Sequence, residues 1–461
     1  MRNRNSQRKG SSGHDQAFDE GEEKMTIGET VSDGALTELS RWSDRVLEDR
    51  VHRTLYTDPA VFEEEIVKVF GGQSWVYLAH ESQLPKPHSY LSVRMGQRPL
   101  LLTRDRNGAL HGIFNRCTHR GATICRDEAG VAKSFQCPYH GWTFRNTGEL
   151  VGAPWPEGYG MDFDKSQFGL LKVNRIETYR GFIFGTLNED APSVPDWLGP
   201  ATTWLDYWID RAPDGEVFVR SAAYRMGYRG NWKLAYDNAG DGYHPSFSHR
   251  SLLEMASRMG DSKDMSYFGR TPDDGPMRSY SLGNGHSVID QRPAHEGGFW
   301  VNQRPQPGRE RFEEEIRAKY PERADELLDL CVGAQINLSI FPNLLIIGNQ
   351  IQVIEPLAVA QTQLIWHATS IGGVPEEVNT VRMRTQEDFP AFGEPDDQAN
   401  FEEVQRGLGV VEEEWILMNR GLGTGWQSAP EDGVVSTAVT DELHMRSYYV
   451  EWIKRMDGDQ A

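Results

Sequence analysis

Apolar and polar positions change period along the chain, and each change marks a different kind of element. From Leu36 to Phe70 the spacing is helical. Asp58 followed by Pro59 predicts an N-cap with Pro at the first helical position, and Phe62, Ile66 and Val69 recur on one face behind it. From Ser74 to Phe114 the pattern drops to period two, in the runs WVYL, SYLSVRM, PLLLTRD and ALHGIFN. Asn107-Gly108 separates the last two, and Asn-Gly between alternating runs signals a hairpin. Short strands continue to about Phe184 through GLLKV and GFIFGTL.

Pro192, Pro195 and Pro200 mark the exit from this β region. Beyond Trp204–Arg211 the signals mix. Val217 to Tyr228 reads as a strand, and Asn231 to Tyr243 as a helix weakened by Gly240 and Gly242. Arg258 to Pro307 is polar without a clear period, long enough to hide short strands or a lid. Phe312 to Leu330 predicts an acidic amphipathic helix, and Glu313-Glu314-Glu315 within it a solvated face. Ile336 to Ser370 predicts several strands broken at Pro342-Asn343, Gly348-Asn349 and Pro356. Pro375 to Gln386 and Asn400 to Met418 read as helical. The class is α+β: a small all-β domain plus a larger domain with an antiparallel sheet flanked by helices. The expected division is a disordered tail over 1–35, a helical part of the larger domain over 36–71, the β domain over 72–190, and the larger domain over 191–461.

Composition narrows the function. A chain of 461 residues that is 38% hydrophobic and 10% aromatic buries large cores. A net charge of −20 argues against nucleic acid or an anionic membrane surface as partner. No apolar run approaches the roughly 18 residues that span a bilayer. Arg2, Arg4, Arg8 and Lys9 are followed by no apolar stretch, so they do not make a secretory leader. Cys117, Cys125, Cys137 and Cys331 form no disulfide pattern, which fits a reducing cytoplasm.

The densest chemistry lies between Asn115 and Phe144, in NRCTHRGATICRDEAGVAKSFQCPYHGWTF. Cys117-x-His119 and Cys137-x-x-His140 are separated by seventeen residues, each pair in a short segment punctuated by Gly or Pro. Two thiolates and two imidazoles in this order are the ligands of a Rieske [2Fe-2S] cluster, in which two His replace two Cys on one iron. A structural zinc site is the alternative, but zinc fingers pair Cys with Cys and His with His. Cys125 sits at no ligand position and reads as packing. The local excess of Arg116, Arg120, Arg126, Lys133 and Arg145 suits an acidic ferredoxin as well as it suits loop-fixing hydrogen bonds.

A second constellation is NWKLAYDNAGDGYHPSFSH, Asn231 to His249. Asp241 and His244 share a helical face, but His244 and His249 would splay by about 140° on a regular helix. Pro245 predicts an irregular segment that turns both rings to one point. Two converging His and a carboxylate from elsewhere make the facial triad of non-haem Fe(II) oxygenases. The candidate carboxylate is Asp397, in FGEPDDQANFEE, where its alternative role is an N-terminal helix cap. His244 and His249 have the alternative of hydrogen-bonded core histidines.

With both constellations in view, the chain from about Leu36 to its C-terminus resembles the large (α) subunit of Rieske non-haem iron aromatic-ring-hydroxylating oxygenases, the family of naphthalene, biphenyl and benzoate dioxygenases. The matching motifs are Cys117-x-His119…Cys137-x-x-His140-Gly-Trp, Asn231-Trp-Lys…Asp241-x-x-His244-x4-His249, and Asp396-Asp397. The resemblance implies a [2Fe-2S] cluster on Cys117, His119, Cys137 and His140, and a mononuclear Fe(II) on His244, His249 and Asp397. It also implies that Asp241 bridges His244 to a cluster histidine of a neighbouring subunit, matching His140, and places Asn238 near the iron. Only two residues separate Asn238 from Asp241, where the naphthalene branch has three, which leaves the part of Asn238 open.

The implied activity is dihydroxylation of an aromatic ring with O2 and NAD(P)H-derived electrons in aromatic catabolism, on an aromatic carboxylate such as benzoate, salicylate or phthalate. A ferredoxin, an NAD(P)H reductase or both would deliver electrons, and an α3 or α3β3 assembly with a small β subunit is implied. His286, in GNGH, matches a run of benzoate-type members and is expected near the pocket. The alternatives are a Rieske monooxygenase or demethylase, and an electron carrier whose second metal site is empty.

Overall fold

The computed structural model describes residues 41–458 except 220–222, 252–253, 255–257, 259–276, 296, 304–307, 425–426 and 429–431. The expected tail over residues 1–35 lies outside them. No described helix is long and apolar enough to cross a membrane.

The period-two runs become antiparallel sheets. Ser89–Met95, Arg98–Arg104 and Leu110–Phe114 form a meander, with Ala129–Val131 on its edge. Its Asn107-Gly108 turn is held by Asp105, whose Oδ1 accepts from the Asn107 and Ala109 N–H groups at 2.8 and 3.0 Å. A second sheet joins Ser134–Gln136, Thr143–Arg145 and Leu150–Gly152. A third joins Val76–His80, Phe182–Thr186 and Arg175–Tyr179. Leu101, Ile113, Phe144 and Leu150 fill a core from which the two Cys-His loops project.

The larger region is built on a nine-stranded sheet. Its described pairings are all antiparallel, and its centre is the run Ile336–Ile340, Leu344–Ile347, Gln350–Ala358 and Gln361–Ile371. Most of their positions are buried on both faces of the sheet. Ile351, Val353 and Ile365 face a core shared with Leu205, Trp208 and Leu327. Leu345, Ile354, Leu364 and Trp366 alternate to the opposite face. There they meet Trp232, Leu234 and Tyr236 of the helix Trp232–Ala239, and Tyr448 and Trp452 of the helix Leu443–Asp457. The second face carries the chemistry.

Several local expectations change. Arg50–His52 is a strand, paired with Trp415–Leu417 across more than 350 residues. That one ladder overturns helix at both places: the helix Glu394–Gly407 stops at a glycine, and the chain beyond finds ladder partners instead. Phe312–Leu330 is two helices, Arg309–Lys319 and Ala324–Leu330, because Pro321 has no N–H with which to continue the first. Pro356 does not end a strand. It lies within Gln350–Ala358, where the register with the neighbouring strand shifts between Pro356 and Ala358. Val217–Tyr228 is two strands, Val217–Val219 and Tyr224–Tyr228, both paired with Gln361–Ile371. The polar stretch after Arg258 does hold strands, Arg278–Ser281 and Ser287–Asp290.

Candidate metal centres

The two Cys-His loops have the same backbone design. Cys117 N–H donates to Ala122 O and Gly121 N–H to Cys117 O, at 2.8 and 2.9 Å; Cys137 N–H donates to Trp142 O and Gly141 N–H to Cys137 O, at 2.7 and 3.0 Å. Each turn therefore needs a glycine four residues after its cysteine, and both glycines are left-handed, with φ of 79° and 72°. The result buries both thiols and brings the His119 and His140 rings to 4.7 Å between centroids. Trp142 lies flat on His119, 8° from parallel at 4.8 Å. His119 Nδ1 and His140 Nδ1 are buried without a hydrogen-bond partner, which is costly for a ring nitrogen unless something else takes its lone pair. Burial, then His140 and Arg120, hold the His119 imidazole below its usual pKa and so neutral. Two adjacent thiols and two orphaned Nδ1 atoms are the donor set of a Rieske cluster, and the site fits that group. Cys125 is buried beside it with its backbone tied to Asn115, a packing residue as expected.

The second centre depends on how the Trp232–Ala239 helix ends. Asn231 caps its start, accepting from Lys233 N–H at 3.1 Å. Its far end is pressed against the C-terminal segment: a Cβ on Gly240 would lie 2.0 Å from the His444 ring, and one on Gly242 would lie 2.5 Å from Val439. His444 is buried there, bonded to Tyr236 O at 2.6 Å. The chain breaks at these glycines and restarts as the short turn Pro245–Ser248. That break converges His244 and His249, with rings 5.4 Å apart.

Both rings aim Nε2 at one oxygen. Asp397 Oδ1 lies 3.5 Å from His244 Nε2 and 3.3 Å from His249 Nε2. All three ligand atoms fall within 4.8 Å of one another. Behind each ring stands a further carboxylate, Asp241 Oδ2 at 3.5 Å from His244 Nδ1 and Asp396 Oδ2 at 3.6 Å from His249 Nδ1. Carboxylates so placed favour the tautomer that offers Nε2 as a lone pair. Asp397 is not a helix cap. Gly393 holds that position, and Asp397 lies one turn in on a buried face with Glu394 and Phe401.

Asp397 is only 2% exposed, and burial pushes its carboxyl up to about 7 against the opposing pull of His244 and a hydrogen bond from Asn238. Burial lowers the His244 pKa, and Asp241 more than offsets it, for a net rise. A buried carboxylate facing two imidazole nitrogens is unfavourable alone and favourable around a divalent cation, so this set fits a mononuclear iron. Asn238 thereby has a contact, to Asp397 itself.

A cavity of about 260 Å³ opens over the three residues, between the Trp232–Ala239 helix and the second sheet face. His286 is not on its wall. It is fully buried, with Nδ1 accepting from Phe341 N–H at 3.1 Å and Nε2 donating to Trp197 O at 3.2 Å, and burial lowers its pKa to about 3. The GNGH run is thus structural. What sequence reasoning missed is the opposite wall, where Gln350 and Gln352 interrupt an apolar strand face, and Asp396 as the partner of His249. The signal was present: two glutamines at period two on one face of the strand Gln350–Ala358.

Residues 74–173 match the Rieske [2Fe-2S] domain, and residues 216–458 match the catalytic domain of the ring hydroxylating alpha subunit. A cluster domain joined to this catalytic domain defines an iron oxygenase component. The chain belongs to the large (alpha) subunits of the Rieske ring-hydroxylating dioxygenases. The 2-halobenzoate 1,2-dioxygenase large subunit of Burkholderia cepacia is 34% identical over 401 residues, covering 83% of this chain and 82% of that one. The toluate 1,2-dioxygenase subunit alpha of Pseudomonas putida is 34% identical over 403 residues, with 83% and 84% covered. A naphthalene 1,2-dioxygenase structure with indole bound superimposes with a TM-score of 0.74 at 25% identity, covering 89% of this chain and 92% of that one. The protein is an oxidoreductase whose cofactors are a Rieske [2Fe-2S] cluster and a mononuclear iron, within a multicomponent system that brings its electrons.

Proposed function

We propose that this subunit dihydroxylates an aromatic carboxylate of the benzoate, salicylate or phthalate kind. The observation that carries the reading is the convergence of His244, His249 and Asp397 beneath a ring-sized cavity in a chain that also holds the cluster loops. Relatives that act on 2-halobenzoate, toluate and anthranilate support the carboxylate.

In this reading Cys117, His119, Cys137 and His140 hold the cluster, and His244, His249 and Asp397 hold the iron. Dioxygen activation is the chemistry the iron supplies when bound, with electrons from the cluster. Asp241 orients His244 through Nδ1, and Asn238 holds the Asp397 carboxylate in place. Ile289, Ile347 and Leu364 give the cavity an apolar wall against which the ring would pack. A cis-dihydrodiol product takes both atoms of one O2, with two electrons and two protons drawn from NAD(P)H and solvent.

The domain division is 72–190 for the cluster unit, and 36–71 with 191–461 for the catalytic unit. The strand pair Arg50–His52 with Trp415–Leu417 supports assigning the N-terminal part to the latter. The assembly is a ring of three such chains, with or without a small β subunit, in the cytoplasm. Its support is a pair of exposed apolar patches, one at each centre: Tyr139, Trp155 (86% exposed) and Met161 by the cluster loops, Tyr243 and Phe247 by the catalytic histidines. Exposed Arg116, Arg120 and Arg126 suit an acidic ferredoxin or reductase.

A phenylurea N-demethylase subunit alpha from Sphingobium, 35% identical over 54% of this chain, keeps demethylation as a second reading. Product analysis decides. With a ferredoxin, a reductase and a panel of aromatic acids, benzoate-type substrates should drive O2 uptake and yield a cis-diol; phenol or formaldehyde in its place would overturn the dihydroxylation.

A further inference from the structure

The cavity wall opposite the histidines has a composition that the metal chemistry does not require. Among the described residues no Lys or Arg lines it, although Asp241, Asp397 and Glu394 do. Its polar groups on the sheet are neutral amides. Gln350 and Gln352 sit two apart on Gln350–Ala358, so their side chains share the face that Leu364 and Ile347 also present to the cavity.

These two glutamines differ in one respect. Gln350 donates from Nε2 to Gln386 O, and the Gln386 amide in turn bonds both the N–H and the C=O of Thr369, at 2.7 and 2.9 Å. That set ties the helix Glu376–Phe392 to the sheet through the Gln350 amide nitrogen. Gln352 is only 3% exposed, yet its side-chain amide has no hydrogen bond within the described protein. Its cross-strand neighbours are Leu345 and Trp366, members of an apolar core. An amide among apolar neighbours that bonds no described protein group is left to partners in the cavity, where its polar atoms keep accessible surface. The group is turned to the cavity, and a ligand is the partner available to it.

We propose that Gln352 is a specificity-determining residue: its amide N–H donates to an acceptor oxygen on the substituent of the aromatic substrate. This rests on the reading of the cavity as the site of an aromatic ring. The polar group is gripped by a neutral hydrogen bond rather than an ion pair, so a carboxylate and a carboxamide are held alike, and an unsubstituted ring gains nothing from it.

The test is equilibrium binding of benzoate, benzamide and toluene to the iron-loaded protein by calorimetry without oxygen, so that no turnover is read. The wild type should bind benzoate and benzamide within about tenfold of each other, as no Lys or Arg among the described lining residues discriminates them. Gln352→Leu should weaken both by about tenfold, the loss of one hydrogen bond, and leave toluene unchanged or tighter. Gln352→Glu keeps the size and adds a like charge, so it should lose benzoate by more than about a hundredfold and keep benzamide. Unchanged binding of both polar rings to Gln352→Leu would overturn the assignment, as would equal weakening of toluene, which would make the role one of packing. A wild-type preference for benzoate over benzamide beyond a hundredfold would mean that a positive charge, the iron or a side chain, grips the carboxylate instead, and would overturn it too. Failure of all three rings to bind the wild type would instead remove the aromatic reading, and this role with it.

Discussion

Asp397→Ala should yield a protein that keeps the colour and spectrum of its cluster and loses its mononuclear iron. The carboxylate is the one atom group toward which both Nε2 atoms converge, at 3.5 and 3.3 Å. Without it the two imidazoles remain, and two neutral ligands hold a divalent iron poorly. Loss of a partner behind a ligand already costs about 10- to 100-fold in metal affinity or activity, so loss of the ligand itself should lower turnover by more than about a hundredfold. Folding should survive. Burial holds the Asp397 carboxyl up near 7, and its removal relieves a cost borne for the metal. Iron analysis with cluster absorbance checks this. Full turnover in the variant would mean that another carboxylate, with Glu394 and Asp396 as the neighbours at hand, completes the site.

The second large effect belongs to Asp241. It accepts from Tyr243 N–H at 2.6 Å and faces His244 Nδ1 at 3.5 Å, so it is held from one side and orients from the other. Asp241→Ala should retain both metals and slow oxidation of the reduced cluster in a single turnover by about 10- to 100-fold. Asp241→Asn preserves size and should recover part of the rate. In the proposed assembly His244 would link the iron to Asp241, and Asp241 would bridge toward a cluster histidine of a neighbouring chain. Stopped-flow absorbance of the reduced cluster, mixed with substrate and O2, reads the step. An unchanged rate would end the bridge, and loss of iron from the variant would reduce Asp241 to a support for His244.

How much of this was legible from residues alone follows from how local each feature is. The cluster loops were legible because each Cys, His and Gly lies within five positions, and one turn geometry sets all three. The convergence of His244 and His249 was half legible. Pro245 and the two glycines announce a break, but the reason for the break is His444 and Val439, two hundred residues on. Asp397 was legible as a candidate carboxylate with a helix cap as its alternative, and only the resemblance singled it out, because a helix in a distant segment supplies it and its neighbours Asp396 and Glu394 look equally suitable in the sequence. The strand Arg50–His52 was missed because its partner, Trp415–Leu417, is more than 350 residues away, and pairing at that distance leaves no local period. His286 was misplaced for the opposite reason: a polar motif on a turn looks functional until both its nitrogens are seen bonded to the backbone. The cavity wall was legible only in part: two glutamines at period two mark a polar spot on a strand face, but alternation assigns Gln352 to that face without saying what lies across from it.

The most direct test is iron and acid-labile sulfide per chain in protein produced with ample iron. Three irons and two sulfides are expected, two irons and both sulfides in the cluster and one iron at the facial triad. Zinc in place of iron, or two irons with the third absent from protein that still turns over, would contradict the two-centre assignment.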